Sequence, residues 1–161
     1  MASHRFFILT LILIHFFNIP SFAKVKNLTK KEIVLLSNEA IRDMNATNYE
    51  KSLIKSRLAL RYAIAINDNN LIAGIYNTIG ANFDGLAEFD KAFFYYEKGL
   101  QDANKTNNDQ LKNWLNNNLG NIYCFDKKQY KKGIFHYKKS LEYSKKSKDS
   151  IQIVFTNLNL T

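Results

Sequence analysis

Two stretches of the chain, residues 76–100 (YNTIGANFDGLAEFDKAFFYYEKGL) and residues 116–141 (NNNLGNIYCFDKKQYKKGIFHYKKSL), are copies of one pattern. Ile79-Gly80 falls on Leu119-Gly120, and Phe83 falls on Tyr123. One residue is then inserted in the second copy, after which Phe89 falls on Tyr130, Ala92 on Gly133, Tyr96 on Tyr137 and Gly99-Leu100 on Ser140-Leu141. The period is about 40 residues. A weaker copy lies one period upstream, where Tyr49, Ser52 and Ala59-Leu60 match Phe89, Ala92 and Gly99-Leu100, and Ala40 stands where Gly80 does. Residues 151–161 (IQIVFTNLNLT) resemble 115–122 and open a further copy. Fixed self-similarity at this length is the signature of a repeat architecture.

Each copy reads as two helices. The first has a small residue at its centre, flanked at helical spacing by Tyr76, Ile79 and Phe83, or by Leu115, Leu119 and Tyr123. The second opens on an aromatic residue, with a small residue three later, an aromatic four beyond, and another small residue three further on. Antiparallel helices approach to about 8–10 Å where facing side chains are small. One hairpin cannot cover its own apolar face, so neighbours must stack. The pattern predicts helices over 30–45, 49–67, 70–86, 88–106, 109–126, 129–147 and 149–160. Residues 68–70, 106–109 and 148–150 supply caps between hairpins, and Asn48, Asp90 and Asp126 lie near the turns within them.

Composition agrees with an all-α fold. Hydrophobic residues make up 46% of the 161-residue chain, enough for a core, while one proline and six glycines are too few for a β-sandwich or barrel. The formal charge is +9. We read the Lys- and Asn-rich composition as solvated helix faces and expect no nucleic-acid partner. The densest basic stretch, residues 127–148, interleaves paired lysines with Tyr130, Phe135, Tyr137 and Tyr143, read as the buried stripe of an amphipathic helix. At most, this face is expected to attract an anionic membrane weakly or an acidic partner.

Residues 1–23 (MASHRFFILTLILIHFFNIPSFA) combine Arg5, an apolar run over 6–17, the helix breaker Pro20 and small residues at Ser21 and Ala23. This is the pattern of a secretory signal peptide cut after Ala23, an uncleaved anchor being the alternative. A short linker, 24–29, leads to the repeats, placed at 30–69, 70–108, 109–148 and, in part, 149–161. The single Cys124 forms no internal disulfide and reads as a small apolar residue within a helix.

The spacing resembles the tetratricopeptide repeat (TPR). Tyr76, Ile79-Gly80, Phe83, Ala92, Tyr96 and Gly99 match that family's order in one copy. Leu119-Gly120, Tyr123, Gly133, Tyr137 and Ser140 match it in the next, with Asn116 in place of the first aromatic. The family's period is commonly 34 residues; the extra residues here fall in 101–109 and 143–150 and are expected to lengthen helices. The resemblance implies a right-handed superhelical array of about three hairpins plus a partial fourth, with a concave groove lined by the first helix of each hairpin. Counting from Gly80 and Gly120, that groove takes Asn77, Ala81 and Asp84 from one copy and Trp114, Asn117, Asn121 and Cys124 from the next. Carboxamides such as Asn77 and Asn117 both donate and accept, which suits an extended peptide backbone, and Trp114 is a candidate aromatic anchor.

The chemistry of enzymes is not legible. His4 and His15 lie in the leader, His136 reads as a surface or seam residue, acidic residues are scattered, and no phosphate-binding, CxxC or HExxH motif occurs. Asn-x-Ser/Thr triplets at Asn27, Asn45, Asn104 and Asn159 are read as chance in so Asn-rich a chain. No cofactor or metal is expected. The expected function is an exported scaffold that binds a protein or peptide, and the whole resembles the exported N-terminal TPR region of Bacteroidetes sensor kinases and regulators. Because the chain stops inside an opening helix with no polar capping helix after it, we expect the N-terminal part of a longer signalling protein. The alternatives are a complete small envelope scaffold and a module that self-associates through its last helix.

Overall fold

The computed structural model describes residues 27–160; the leader at 1–23 and residues 24–26 of the linker lie outside the described residues. Among the described residues there are seven helices and no strand. These are α1 Lys30–Asn45, α2 Tyr49–Ala65, α3 Asn69–Gly85, α4 Phe89–Ala103, α5 Asp109–Asn121, α6 Tyr130–Ser147 and α7 Ser150–Leu158, and α5 is continued by a π-helical turn, Ile122–Asp126. Each helix packs chiefly on its hairpin partner and next on its other neighbour in sequence, and the first helices of successive hairpins also touch, α1 on α3 and α3 on α5. This is the expected solenoid of hairpins α1–α2, α3–α4 and α5–α6, with α7 opening the next.

The two kinds of turn differ in side-chain capping. First helices carry side-chain N-caps: Thr29 in a capping box with Glu32, then Asp68, Asn108 and Asp149, whose Oδ1 atoms accept from the amides of Leu71, Leu111 and Gln152 at 3.0–3.1 Å. Second helices follow tight turns and have no side-chain cap at Asn48, Glu88 or Gln129. There the chain closes the preceding helix by a left-handed residue, Thr47, Ala87 or Lys128 (φ 53–60°), a closure shared between hairpins by Asn67 and Lys148. The next amide then reaches back into that helix: Asn48 N–H to Asp43 O and Glu88 N–H to Phe83 O, each 2.8 Å.

In the third hairpin the equivalent bond runs from Gln129 N–H to Tyr123 O, also 2.8 Å, but spans one residue more. The inserted residue is absorbed upstream of the turn, in the π turn at the end of α5. Hairpin closure is thereby preserved, and the surplus is displaced onto Cys124. A Cβ at Gly133 would stand 2.1 Å from Cys124 Sγ and 3.1 Å from the Gly120 carbonyl oxygen. Glycine therefore replaces the alanine found at the matching Ala92.

The small residues act as the spacing implies. A Cβ on Gly80 would lie 2.6 Å from the Tyr96 ring, and one on Gly120 would lie 2.5 Å from the Tyr137 ring. Each tyrosine thus lies flat across the preceding first helix, and both rings are fully buried. Gly99 is held against Leu115 and the Ala73 carbonyl, while Ser140, at the matching place, is buried against Asn113 and Thr156. Tyr76 and Phe83 pack on Tyr95, and Leu119 is fully buried.

Two expectations require correction. Of the aromatic residues of α6 read as one buried stripe, Tyr137 is buried and Tyr143 half-buried, but Tyr130 is 59% and Phe135 56% exposed. A helix of 3.6 residues per turn places Phe135 two residues from Tyr137, on a different face. The extra residues after the second hairpin also do not lengthen α4. It ends at Ala103, where the Thr106 hydroxyl donates to the Ala103 carbonyl at 2.8 Å, and residues 104–108 form a connection.

Candidate functional site

Along the first helices the fold leaves a cleft of about 540 Å³, lined by Asp84 from α3, Phe89 at the start of α4, Asn117, Asn121, Ile122, Phe125 and Asp126 from α5 and its π turn, and Gln152, Phe155 and Asn159 at α7. Three of the residues expected in the groove, Asp84, Asn117 and Asn121, meet there. Asn77 does not line the cleft. Trp114 is 41% exposed on α5 but also outside the lining. Ala81 is partly buried, and Cys124 lies under a separate recess with Tyr130, Ile134 and Tyr137.

The packing tyrosines position the cleft. Having crossed Gly80, Tyr96 donates its hydroxyl to Asp84 Oδ2 at 3.3 Å. Having crossed Gly120, Tyr137 donates to Asn121 Oδ1 at 2.8 Å. Burial pushes both phenols above their ordinary range, so they remain donors. Burial also raises the Asp84 carboxyl above the usual carboxylate range, against the opposing effect of the Tyr96 hydroxyl.

The asparagines are engaged rather than idle. Asn118 donates to Asn77 Oδ1 at 3.0 Å, and one repeat later Asn159 donates to Asn117 Oδ1 at 3.3 Å, so carboxamide pairs bridge successive first helices. On the other faces of α5, Asn113 accepts from Ser140 at 2.6 Å, and Asn116 pairs with His136 Nδ1 at 3.0 Å. His136 is also stacked on Tyr123, and burial lowers its pKa, which makes it a seam residue between α5 and α6.

Charge is segregated between the two sets of helices. The second helices, α2, α4 and α6, carry twelve Lys and Arg against five Asp and Glu. The first helices, with the π turn, carry four against six. No group of three or more His, Cys, Asp or Glu residues placed to hold a metal occurs among the described residues. No described helix is long and apolar enough to cross a membrane.

Sequence reasoning missed Phe89, Ile122, Phe125, Asp126, Gln152, Phe155 and Asn159 as lining residues. Two carried a signal: aligning the cap Asp149 with Asn108 sets Phe155 on Trp114 and Asn159 on Asn118. Phe125 and Asp126 are placed by the π turn, which no local pattern announces.

No family model matches the chain. Over 52 residues, 32% of its length, the chain is 40% identical to the uncharacterized protein ycf37 of Guillardia theta, and the match spans 29% of that protein. Among solved structures, the TPR domain of Arabidopsis FLU matches with a TM-score of 0.65 at 14% identity, over 73% of this chain and 98% of that domain. The tetratricopeptide-repeat fold expected from the sequence is the fold of this chain.

Proposed function

We propose that the protein is a non-catalytic scaffold that holds an extended segment of a partner protein in the cleft of its first helices. The carrying observation is the cleft itself: open, lined by phenylalanine rings and by an asparagine and an aspartate that buried tyrosines hold in place. Pre-set side chains bind without first losing their freedom, which favours recognition over chemistry. Selection of displayed random peptides on the full chain tests this. Enriched peptides are expected to lose about tenfold in affinity on Phe155→Ala and nothing on Phe94→Ala, on the outer face. Failure to enrich, or equal losses at both positions, refutes it.

The finer part of the proposal is export, and service as the sensory or adaptor N-terminal part of a longer signalling protein. It rests on residues 1–23 and on the architecture that the repeats resemble. Mass spectrometry of the mature chain tests the cut after Ala23. A second reading, self-association, is favoured by α7, which exposes Ile151, Val154, Phe155 and Leu158. Sedimentation showing a monomer at all concentrations removes it.

A further inference from the structure

We infer that the segment bound in the cleft is cationic: an extended peptide offering a lysine or arginine beside a large apolar side chain. The inference rests on the cleft being the peptide site. The chain has 23 Lys and Arg, yet none of those among the described residues lines the cleft. Most carboxylates elsewhere are already neutralised. Glu39 and Asp43 pair with Lys55, Asp68 with Lys30, Glu88 with Lys91, Asp90 with Lys127, Asp102 with Lys105, Asp109 with Lys112, and Glu142 with Lys139 and Lys146. Asp84 and Asp126, the two acidic groups of the cleft, carry no ion pair among the described residues.

Asp84 is also half-buried, with the Tyr96 hydroxyl as its one described partner. A carboxylate so placed has lost hydration that a ligand cation restores. Phe89, Phe125 and Phe155 supply faces for an apolar side chain and for cation–π contact. Asn117 and Asn121 have their oxygens occupied by Asn159 and Tyr137, which leaves amide donors for the carbonyls of a peptide backbone. An acidic segment would meet two carboxylates and no cation. The basic outer helices disfavour a cationic segment, so the acidic cleft is the local surface that favours it over that face.

Fluorescein-labelled nonapeptides in a Ser/Gly background test this on the full chain by anisotropy, with one carrying Phe and Lys, one Phe and Gln, and one Phe and Glu. The Phe/Lys peptide is expected to bind about tenfold tighter than Phe/Gln, with Phe/Glu weakest. That preference should shrink when salt is raised to about 0.5 M. It should vanish in the Asp84→Asn/Asp126→Asn double variant while Phe/Gln affinity is unchanged. Equal binding of all three peptides, or a lysine preference that survives the double variant, overturns the inference and leaves the peptide cleft standing. If no peptide binds and random selection also fails, the cleft reading falls and takes the inference with it. Competition by a second copy of the chain in place of any peptide also overturns it.

Discussion

Replacing Gly120 by alanine adds one methyl group where the structure has no room for it. The new Cβ would stand 2.5 Å from Cδ1 and Cε1 of Tyr137 and 3.1 Å from its Cγ. Carbon atoms in contact prefer about 3.5–4.0 Å, so the ring must retreat by roughly 1 Å. It cannot do so alone, because Tyr137 is buried and its hydroxyl is tied to Asn121. Overpacking of this kind costs about 1–3 kcal/mol, offset by about 1 kcal/mol because alanine favours a helix over glycine. The expected net loss is about 1–2 kcal/mol, a fall in Tm of several degrees for a chain of this size. Gly74→Ala is the internal control. It is the same substitution in the matching helix of the preceding hairpin, but its Cβ would meet nothing within 4 Å. That variant should gain up to about 1 kcal/mol. Thermal and urea unfolding followed by far-ultraviolet circular dichroism reads both, and Gly120→Ala/Tyr137→Leu should lose less than the two single changes summed. If Gly120→Ala matches Gly74→Ala in stability, the claim that glycine is there to admit the tyrosine is wrong.

Three further outcomes follow from the same geometry. Asp84→Asn should raise stability at pH 7, because burial lifts the wild-type carboxyl's pKa in the folded state. The handicap is therefore in full force above that raised value and gone below the ordinary 3.8, so melting curves of the two proteins should converge in acid and stay parallel if the argument fails. Ala87→Gly and Lys148→Gly each relieve a left-handed residue (φ 58° and 57°) and should stabilise by about 1 kcal/mol, whereas a loss on chemical denaturation would contradict this. Asp68→Ala removes both the cap on α3 and the 2.7 Å ion pair to Lys30 and should cost about 1 kcal/mol, most of it restored by Asp68→Asn. The ion pair to Lys30 holds the Asp68 carboxyl below its ordinary range, so this contribution is present above 3.8 and fades as pH falls through the lowered value.

The fold was legible because its determinants are local and recur. The small residues at Gly80 and Gly120, the tyrosines that cross them and the caps at Asp68, Asn108 and Asp149 stand at nearly constant offsets, so one copy explains the next. Three of the ten residues lining the cleft were legible for the same reason, since Asp84, Asn117 and Asn121 follow from counting along a helix. The rest depends on which elements meet. The insertion before Asp126 was visible as a count, but only the bond from Gln129 to Tyr123 shows that a π turn takes it up rather than a longer loop. Phe135 has the same composition signal as Tyr137, and its exposure is decided by rotation about the helix axis. The pairing of the asparagines had no local signal, because Asn77 and Asn118 are partners 41 residues apart.

Those asparagine pairs set the mechanics of the array. They join neighbouring repeats on the inner side of the coil, where bending outward pulls them apart first. Each is a single neutral hydrogen bond, worth about 1 kcal/mol, the Asn118–Asn77 bond partly shielded from water and the Asn159–Asn117 bond exposed to it. Behind them one buried apolar cluster runs from Ile33 to Ile122, and Phe93 meets Tyr123 edge-on across the joint between the second and third hairpins, so packing holds the joint and the carboxamides set its register at the surface a ligand would face.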